Sequence, residues 1–286
     1  MNRLRALFQL TKPGIIFDNL MTAVGGFVLA SKGHAHVRLL IATLAGTGLV
    51  IAAACVYNNI MDRDLDRKMQ RTKKRALVSG AISARAAFVY ASVLLLTGFA
   101  ALGFEVNKLV VIIGLIGFAD YVGLYDIAKR RFAAGALIGS ISGATPILAG
   151  YCAASGKFDL GGALLFIVMV IWQMPHFYAI GMRRAKDYKA AGVPVLPLTH
   201  GFRLAKIRIL AYIVAFALAT LACSLFGYTG WVFAVCMSVL SIAWFFRGLR
   251  GFHTLDDTIW ARGMFLFSLV VVTSFAALLI ANPWLP

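Results

Sequence analysis

Apolar stretches of about 20 residues recur along the chain, separated by shorter polar segments. A helix of that length crosses the hydrocarbon core of a bilayer, because each helical residue adds about 1.5 Å. The pattern therefore predicts an all-α, polytopic membrane protein with about nine transmembrane helices. The predicted spans are 14–31, 39–60, 86–104, 109–127, 134–154, 160–182, 207–227, 229–246 and 264–282.

Composition excludes a soluble globular protein. Hydrophobic residues make up 61% of the chain and charged residues 14%, and the mean hydropathy is +0.84. A soluble domain of this size needs far more polar surface. The first span contains Asp18 and Asn19, so we do not expect a cleavable signal peptide, and the whole chain, 1–286, is expected to form one membrane domain.

Basic residues are distributed very unevenly between the two predicted sides. With the N-terminus in the cytoplasm, only Lys32, Arg38, Lys108 and Lys157 of the 28 lysines and arginines lie on the opposite side. This positive-inside bias predicts a cytoplasmic N-terminus and a periplasmic C-terminus. The net charge of +17 is explained by topology and anion binding, so no nucleic-acid partner is expected.

Two predicted cytoplasmic loops, about 62–85 and 183–206, are long and polar, and follow spans two and six. The first begins in the run YNNIMDRDLDRKMQRTKKR, in which Asn58, Asp62 and Asp66 are spaced four residues apart. On a helix this spacing places all three side chains on one face. Oxygen ligands of this kind suit Mg²⁺, which takes its remaining ligands from water and phosphate.

Basic residues follow these carboxylates throughout the same run. Carboxylates beside cations fit a complex of a metal with a diphosphate better than a bare metal site. The structural alternative is a solvated cytoplasmic loop whose charges form ordinary ion pairs between successive helical turns.

The second loop begins in the run WQMPHFYAIGMRRAKDYKAAGVPVLPLTHG. Pro175 predicts a kink at which backbone groups can line a cavity, with Gln173, His176 and Tyr178 close by. An intramembrane histidine is either a ligand-contacting residue or a structural one with its hydrogen bonds satisfied. Its polar neighbours favour the ligand-contacting role.

Small residues inside the spans predict helix packing. Gly135, Gly139 and Gly143 repeat every four residues, which is typical of close helix contacts. The four cysteines lie within predicted spans and show no CxxC spacing, so we expect them to be small packing residues.

The run beginning at Asn58 resembles the first aspartate-rich motif, NxxxDxxxD followed by basic residues, of the UbiA superfamily of intramembrane prenyltransferases. Further runs are similar to the branch of that superfamily that farnesylates heme, the heme O synthases: TKPGIIFDN, WQMPHFYAI, KDYKAAGVPVLP and IWAR. Where the wider superfamily has a second DxxxD motif, this chain has Met182 and Lys186, with one carboxylate at Asp187.

The resemblance implies a UbiA-type helical bundle and a reaction in which farnesyl diphosphate, heme B and water give heme O and diphosphate. It implies that Mg²⁺ is held by Asn58, Asp62 and Asp66. Cations that would bind the diphosphate are Arg67, Arg71, Lys73, Arg75, Lys129 and Arg130. Candidates for binding heme, or for completing the diphosphate site, are His176, Tyr178, Lys186 and Asp187. Heme is a substrate here and not a redox cofactor.

The implied location is the bacterial inner membrane, with the active-site loops on the cytoplasmic side. One possible partner is a heme-modifying enzyme or terminal oxidase that receives the product. Two other functions remain open. A UbiA-type enzyme that prenylates an aromatic quinone precursor would use the same first motif, and a transporter could carry the intramembrane Asp18 and Asp120.

Overall fold

A computed structural model describes residues 3–34 and 36–286. Within those ranges the chain is almost entirely helical and contains no β-strand, which confirms the predicted all-α class. The α-helices are α1 Arg3–Leu10, α2 Pro13–Ser31, α3 Val37–Met61, α4 Arg63–Lys68, α5 Ala84–Glu105, α6 Lys108–Ala119, α7 Tyr125–Arg131, α8 Gly135–Ser155, α9 Leu160–Arg183, α10 Ala185–Ala191, α11 Leu196–Thr199, α12 Gly201–Leu225, α13 Trp231–Leu249 and α14 Asp257–Ala281.

Nine helical segments among the described residues are long and apolar enough to cross a membrane, so the predicted number is confirmed. Eight of them contain one long helix each: α2, α3, α5, α8, α9, α12, α13 and α14. The remaining one joins α6 to α7 through a π-helical turn at Asp120–Leu124. The extra residue in such a turn changes which side chains face inward, and π-helical turns are frequent at functional sites.

The predicted bounds of the last three spans are too short at their polar ends. Helix α12 begins at Gly201 and not at 207, and α14 begins at Asp257 and not at 264. The eighth span continues through a 3₁₀ turn to His253. Hydropathy detects the hydrocarbon-facing part of a helix, whereas these helices continue as charged turns beyond it.

Glycines allow the inner helices to approach closely, as predicted for the repeat in α8. A Cβ on Gly139 would lie 2.6 Å from the Tyr125 ring, and one on Gly143 would lie 2.0 Å from Oε1 of Gln173. At Gly150 a Cβ would lie 2.0 Å from the carbonyl oxygen of Ala23 in α2. Helices α2, α8 and α9 therefore form a tightly packed centre.

The two long loops are folded and touch each other. The first contains α4 and the second contains α10 and α11. The backbone N–H of Gln70 donates a 3.0 Å hydrogen bond to Oδ1 of Asp187. Helix α9 continues through Pro175 to Arg183, and delivers the second loop to the same end of the bundle.

Candidate active site

The candidate site is a cavity of about 230 Å³ at the end of α3. Asn58 lies in the last turn of that helix, Asp62 follows its end, and Asp66 lies in α4. All three side chains line the cavity, so the shared face expected from their spacing survives the change of helix at Asp62.

Hydrogen bonds hold the amide of Asn58 between two charged groups. Its Nδ2 donates to Oδ2 of Asp62 at 2.9 Å, and its Oδ1 accepts from Nζ of Lys12 at 2.6 Å. Lys12 precedes α2 and has a left-handed backbone with φ of 54°, an uncommon conformation for a side-chain-bearing residue. Burial lowers the pKa of the Lys12 ammonium below its usual range.

Each inner carboxylate is paired with a cation, which comes from the same loop for Asp66 and from α7 for Asp62. Asp66 contacts Nη1 of Arg75 at 2.7 Å, and that nitrogen also donates to Oδ1 of Asn59 at 3.1 Å. Asp62 contacts Nζ of Lys129 at 2.7 Å. These alternating charges create a partly buried polar site whose groups are oriented in advance.

Arg130 forms the outer edge of this network. Its guanidinium contacts Asp62 at 3.3 Å and Asp64 at 3.0 Å, and donates to the carbonyl of Met61 at 2.7 Å. The hydrogen bond from Arg130 lowers the pKa of the Asp64 carboxyl group. Asp64 does not line the cavity and its side chain is 62% exposed, so it supports Arg130 from outside.

The structure separates the six cations predicted to bind diphosphate into three groups. Arg71, Arg75 and Lys129 line the cavity, whereas Arg130 lies just beside it, in contact with Asp62. Arg67 and Lys73 are exposed and lie outside the cavity lining.

Lys12, Tyr121 and Tyr125 also line the cavity and were absent from the sequence-based site. The two tyrosine rings stack at 5.7 Å, and Nζ of Lys129 lies 5.4 Å from the Tyr125 ring centre. Tyr121, Tyr125 and Lys129 repeat every four residues, like Asn58, Asp62 and Asp66. This repeat is the sequence signal that could have identified the two tyrosines as site residues. For Lys12 the sequence offers none, because its partner is 46 positions away.

The donor set fits Mg²⁺. Two carboxylates and one amide oxygen face a single cavity, and hard oxygen ligands are those that Mg²⁺ prefers. Among the described residues there is no group of three or more histidine, cysteine, aspartate or glutamate side chains that could hold a metal ion. A Mg²⁺ ion at Asn58, Asp62 and Asp66 would therefore complete its shell with water or phosphate oxygens.

A second, larger cavity of about 470 Å³ adjoins the first, and Tyr121, Tyr125, Phe177 and Ile180 line both. Its walls are mainly apolar and come from α2, α3, α6, α8, α9 and α14. The polar pocket is therefore adjacent to a hydrophobic cavity within the membrane-spanning region.

His176 lines this apolar cavity in a fixed orientation. Its ring stacks on Trp172 at 5.0 Å, and its Nδ1 lies 2.8 Å from Oγ of Ser268. The Ser268 hydroxyl donates its proton to the carbonyl of Phe265 at 2.6 Å, so we assign the proton of the neutral imidazole to Nδ1. Nε2 then carries a free lone pair.

The other residues suggested for heme lie elsewhere. Tyr178 is buried against the polar cavity, and Lys186 is exposed and lines neither cavity. Asp187 holds the two loops together through its bond from Gln70. Tyr188, next to it, lines the polar cavity, and burial raises the pKa of its hydroxyl group.

Solved structures with this fold are known. The chain matches a structure of a digeranylgeranylglyceryl phosphate synthase with a TM-score of 0.79 and 18% identity, covering 98% of this chain and 99% of that one. A UbiA homolog from Archaeoglobus fulgidus, bound to GPP and Mg²⁺, matches with a TM-score of 0.73 and 16% identity, covering 96% and 99%.

Sequence comparison gives a closer relationship. A protoheme IX farnesyltransferase of Klebsiella pneumoniae is 50% identical over 97% of this chain and 95% of its own length, and one of Shigella flexneri is 49% identical over 97% and 94%. The model of the UbiA prenyltransferase family matches residues 19–284. With this match and with relatives at about 50% identity over nearly the whole chain, the protein belongs to the UbiA prenyltransferase family.

Proposed function

We propose that this protein transfers the farnesyl group of farnesyl diphosphate to a vinyl group of heme B, with addition of water, in the bacterial inner membrane. The observation that carries the proposal is the junction of the two cavities. One has acidic and basic groups suited to a metal and a diphosphate, and the other is apolar and contains a histidine with a free nitrogen. The relatives named protoheme IX farnesyltransferase support heme as the acceptor.

The polar cavity is suited to the departure of diphosphate. Mg²⁺ held by Asn58, Asp62 and Asp66 would supply positive charge to the leaving group. Lys12, Arg75 and Lys129 already contact the proposed metal ligands, so a diphosphate bound there would lie among their charges. Neutralising the leaving oxygens lowers the barrier to breaking the allylic carbon–oxygen bond.

The apolar cavity is suited to the rest of the reaction. Its walls exclude bulk water from the allylic cation until the vinyl group attacks the farnesyl carbon. That attack leaves a new cation on the vinyl carbon attached to the porphyrin ring. A water molecule adds there and loses a proton, which gives the hydroxyl group of heme O and completes the balance of atoms.

Extraction of hemes tests the proposal. Cells that lack their own heme-farnesylating enzyme are compared with and without this protein, and their hemes are separated by chromatography. We expect a farnesylated, hydroxylated heme only with the protein. Prenylation of an aromatic quinone precursor, with heme unchanged, would identify the alternative acceptor. A transporter would produce neither product, and the transport alternative gives no reason for the cations around Asp62 and Asp66.

Arg75→Ala tests the diphosphate-binding role. We expect the affinity for farnesyl diphosphate to fall by roughly 30- to 100-fold, because the variant loses a charge and leaves the buried Asp66 unpaired. Arg71→Ala should lower the affinity for farnesyl diphosphate by only about 5- to 10-fold, because Arg71 is exposed at the cavity edge. Titrations with farnesyl diphosphate and with heme B measure the effect.

Arg67→Ala is the matched control, because Arg67 belongs to the same run but lies outside the cavity lining. Its affinity should stay within about twofold of the wild type. If Arg75→Ala weakened heme and diphosphate binding equally, the result would indicate a collapsed loop and contradict a specific role in diphosphate binding.

His176→Ala tests the acceptor side. We expect heme B to bind roughly tenfold more weakly and farnesyl diphosphate to bind as before, because His176 lines the apolar cavity and does not line the polar one. If Nε2 is an axial ligand of the iron, the heme absorption bands of the purified complex shift as well. His176→Gln keeps a hydrogen-bonding group and should not restore those bands.

Ser268→Ala removes only the group that orients the ring and should have a smaller effect in the same direction. An unchanged spectrum and unchanged heme affinity in His176→Ala would return this residue to a structural role.

A further inference from the structure

Three arginines stand together where α9 ends and α14 begins. Arg183 is the last residue of α9, Arg184 follows it, and Arg262 lies in the second turn of α14. The Arg183 guanidinium lies against Phe265 of α14, and Arg262 precedes Phe265 by one turn of that helix. The two helices therefore bring together charges that are far apart in the sequence.

This arginine cluster, Arg183, Arg184 and Arg262, has no acidic partner. Within residues 3–34 and 36–286, no carboxylate lies within 4.0 Å of any of the three guanidinium groups. By contrast, Arg75 and Arg130 on the same side of the protein are both ion-paired. Like charges held together without counter-charge favour the binding of an anion.

The cluster stands at the end of an aromatic wall. The guanidinium carbon of Arg183 lies 5.2 Å from the Phe265 ring centre. The Phe265 ring lies 5.0 Å from the His176 ring, which in turn lies 5.0 Å from Trp172. Phe265, His176 and Trp172 all line the apolar cavity. The wall thus leads from the cavity interior to the arginine cluster, whose side chains lie just outside the cavity lining.

A ligand that matches this surface has a flat apolar body and an anionic edge. Heme B has that form, since its two propionates lie on one edge of the ring and its vinyl groups on the other. We propose that Arg183, Arg184 and Arg262 bind the propionate carboxylates of the porphyrin while its ring lies in the apolar cavity. This inference rests on the proposed heme acceptor and deepens it.

The chemistry of guanidinium supports this assignment. Its planar fork of N–H donors matches a carboxylate in two parallel hydrogen bonds, and Arg183 is partly buried against Phe265, which reduces screening by water. If the propionate edge is bound by the arginine cluster, the vinyl edge points away from the cluster and into the cavity. The cluster would therefore determine which edge of the porphyrin is offered to the farnesyl carbon.

Heme B and its dimethyl ester form a direct test, because the ester has the same ring and iron but no propionate charges. Both ligands are titrated by absorbance into the full-length protein in neutral lipid nanodiscs. We expect the wild type to bind heme B about 10- to 100-fold more tightly than the ester. Arg183→Gln and Arg262→Gln should each bind heme B about tenfold more weakly than the wild type does. Both variants should bind the ester almost as well as the wild type.

Arg85→Gln is the control, because Arg85 is an exposed arginine at the start of α5 and is not part of the arginine cluster. It should leave both affinities unchanged. Farnesyl diphosphate affinity, measured on every variant, should also stay within about twofold, which excludes general misfolding.

Several results would overturn the inference. One is equal affinity of the wild type for heme B and the ester, and another is equal losses for both ligands in the variants. An anionic phospholipid headgroup is the other source of a ligand anion, so the titrations are repeated in nanodiscs with anionic lipid. Variant effects that appear only there would assign the cluster to lipid.

Product analysis keeps this test separate from the proposed function. If the wild type forms heme O but binds heme B and its ester equally well, the proposed function stands and the proposed propionate site is wrong. If the wild type neither bound heme nor formed the product, both the function and the site would be wrong.

Discussion

Asp62→Asn and Asp66→Asn should each lower farnesyl transfer by at least about 10³-fold, the largest catalytic effect that we expect from a single substitution. Losing one carboxylate removes a proposed Mg²⁺ ligand and so the charge that neutralises departing diphosphate, worth several kcal/mol in the transition state. About 4 kcal/mol corresponds to three factors of ten in rate. Transfer of a radiolabelled farnesyl group, measured over a range of Mg²⁺ concentrations, tests this.

Asp64→Asn is the matched control. Asp64 lies between the two proposed ligands in sequence, but its side chain is 62% exposed and contacts only Arg130 at the outer edge. We expect its activity to stay within about threefold of the wild type. Near-normal turnover of Asp62→Asn or Asp66→Asn at limiting Mg²⁺ would contradict the metal assignment, provided that the variants insert and resist heat as the wild type does.

Gly150→Leu should have the largest effect on stability. A Cβ at this position would lie 2.0 Å from the carbonyl oxygen of Ala23, which is backbone and cannot rotate away. Helices α2 and α8 would have to separate, and overpacking of this kind costs about 3 kcal/mol or more. We expect a much lower yield of folded protein and a lower Tm in detergent.

Gly123→Leu provides the comparison, since a Cβ there would meet no atom within 4 Å. Both substitutions replace a glycine in a membrane span by the same apolar side chain, so the two variants differ mainly in the space available to that side chain. Similar Tm values for the two variants would show that the approach of α2 to α8 is not needed for stability.

Local pattern was enough to predict the membrane fold. Long apolar stretches predict helices because a bilayer core offers no water to satisfy backbone groups, so each span must satisfy them within itself. The repeat of Gly135, Gly139 and Gly143 likewise predicted close packing. Helix ends were predicted less well, because charged turns such as the start of α14 at Asp257 lie outside the hydrocarbon layer that hydropathy detects.

The candidate site was predictable where its residues share one helical face. Asn58, Asp62 and Asp66 repeat every four residues, and the same repeat in Tyr121, Tyr125 and Lys129 would have revealed the opposite wall. Residues brought in by tertiary contacts were not predictable. Lys12 reaches Asn58 from outside the run, and only the fold distinguishes Arg75 at Asp66 from the exposed Arg67 and Lys73.

The sequence by itself therefore determined the membrane-spanning helices, the acidic motif and the family resemblance, because each depends on composition or on spacing within one helix. The tertiary structure decided which cations face the carboxylates, that the polar pocket lies next to an apolar cavity, and that Ser268 holds His176. It also brought Arg183 of α9 against Phe265 of α14, about 80 positions further along the chain. Such contacts depend on how separate helices pack, and no local pattern of residues encodes that packing.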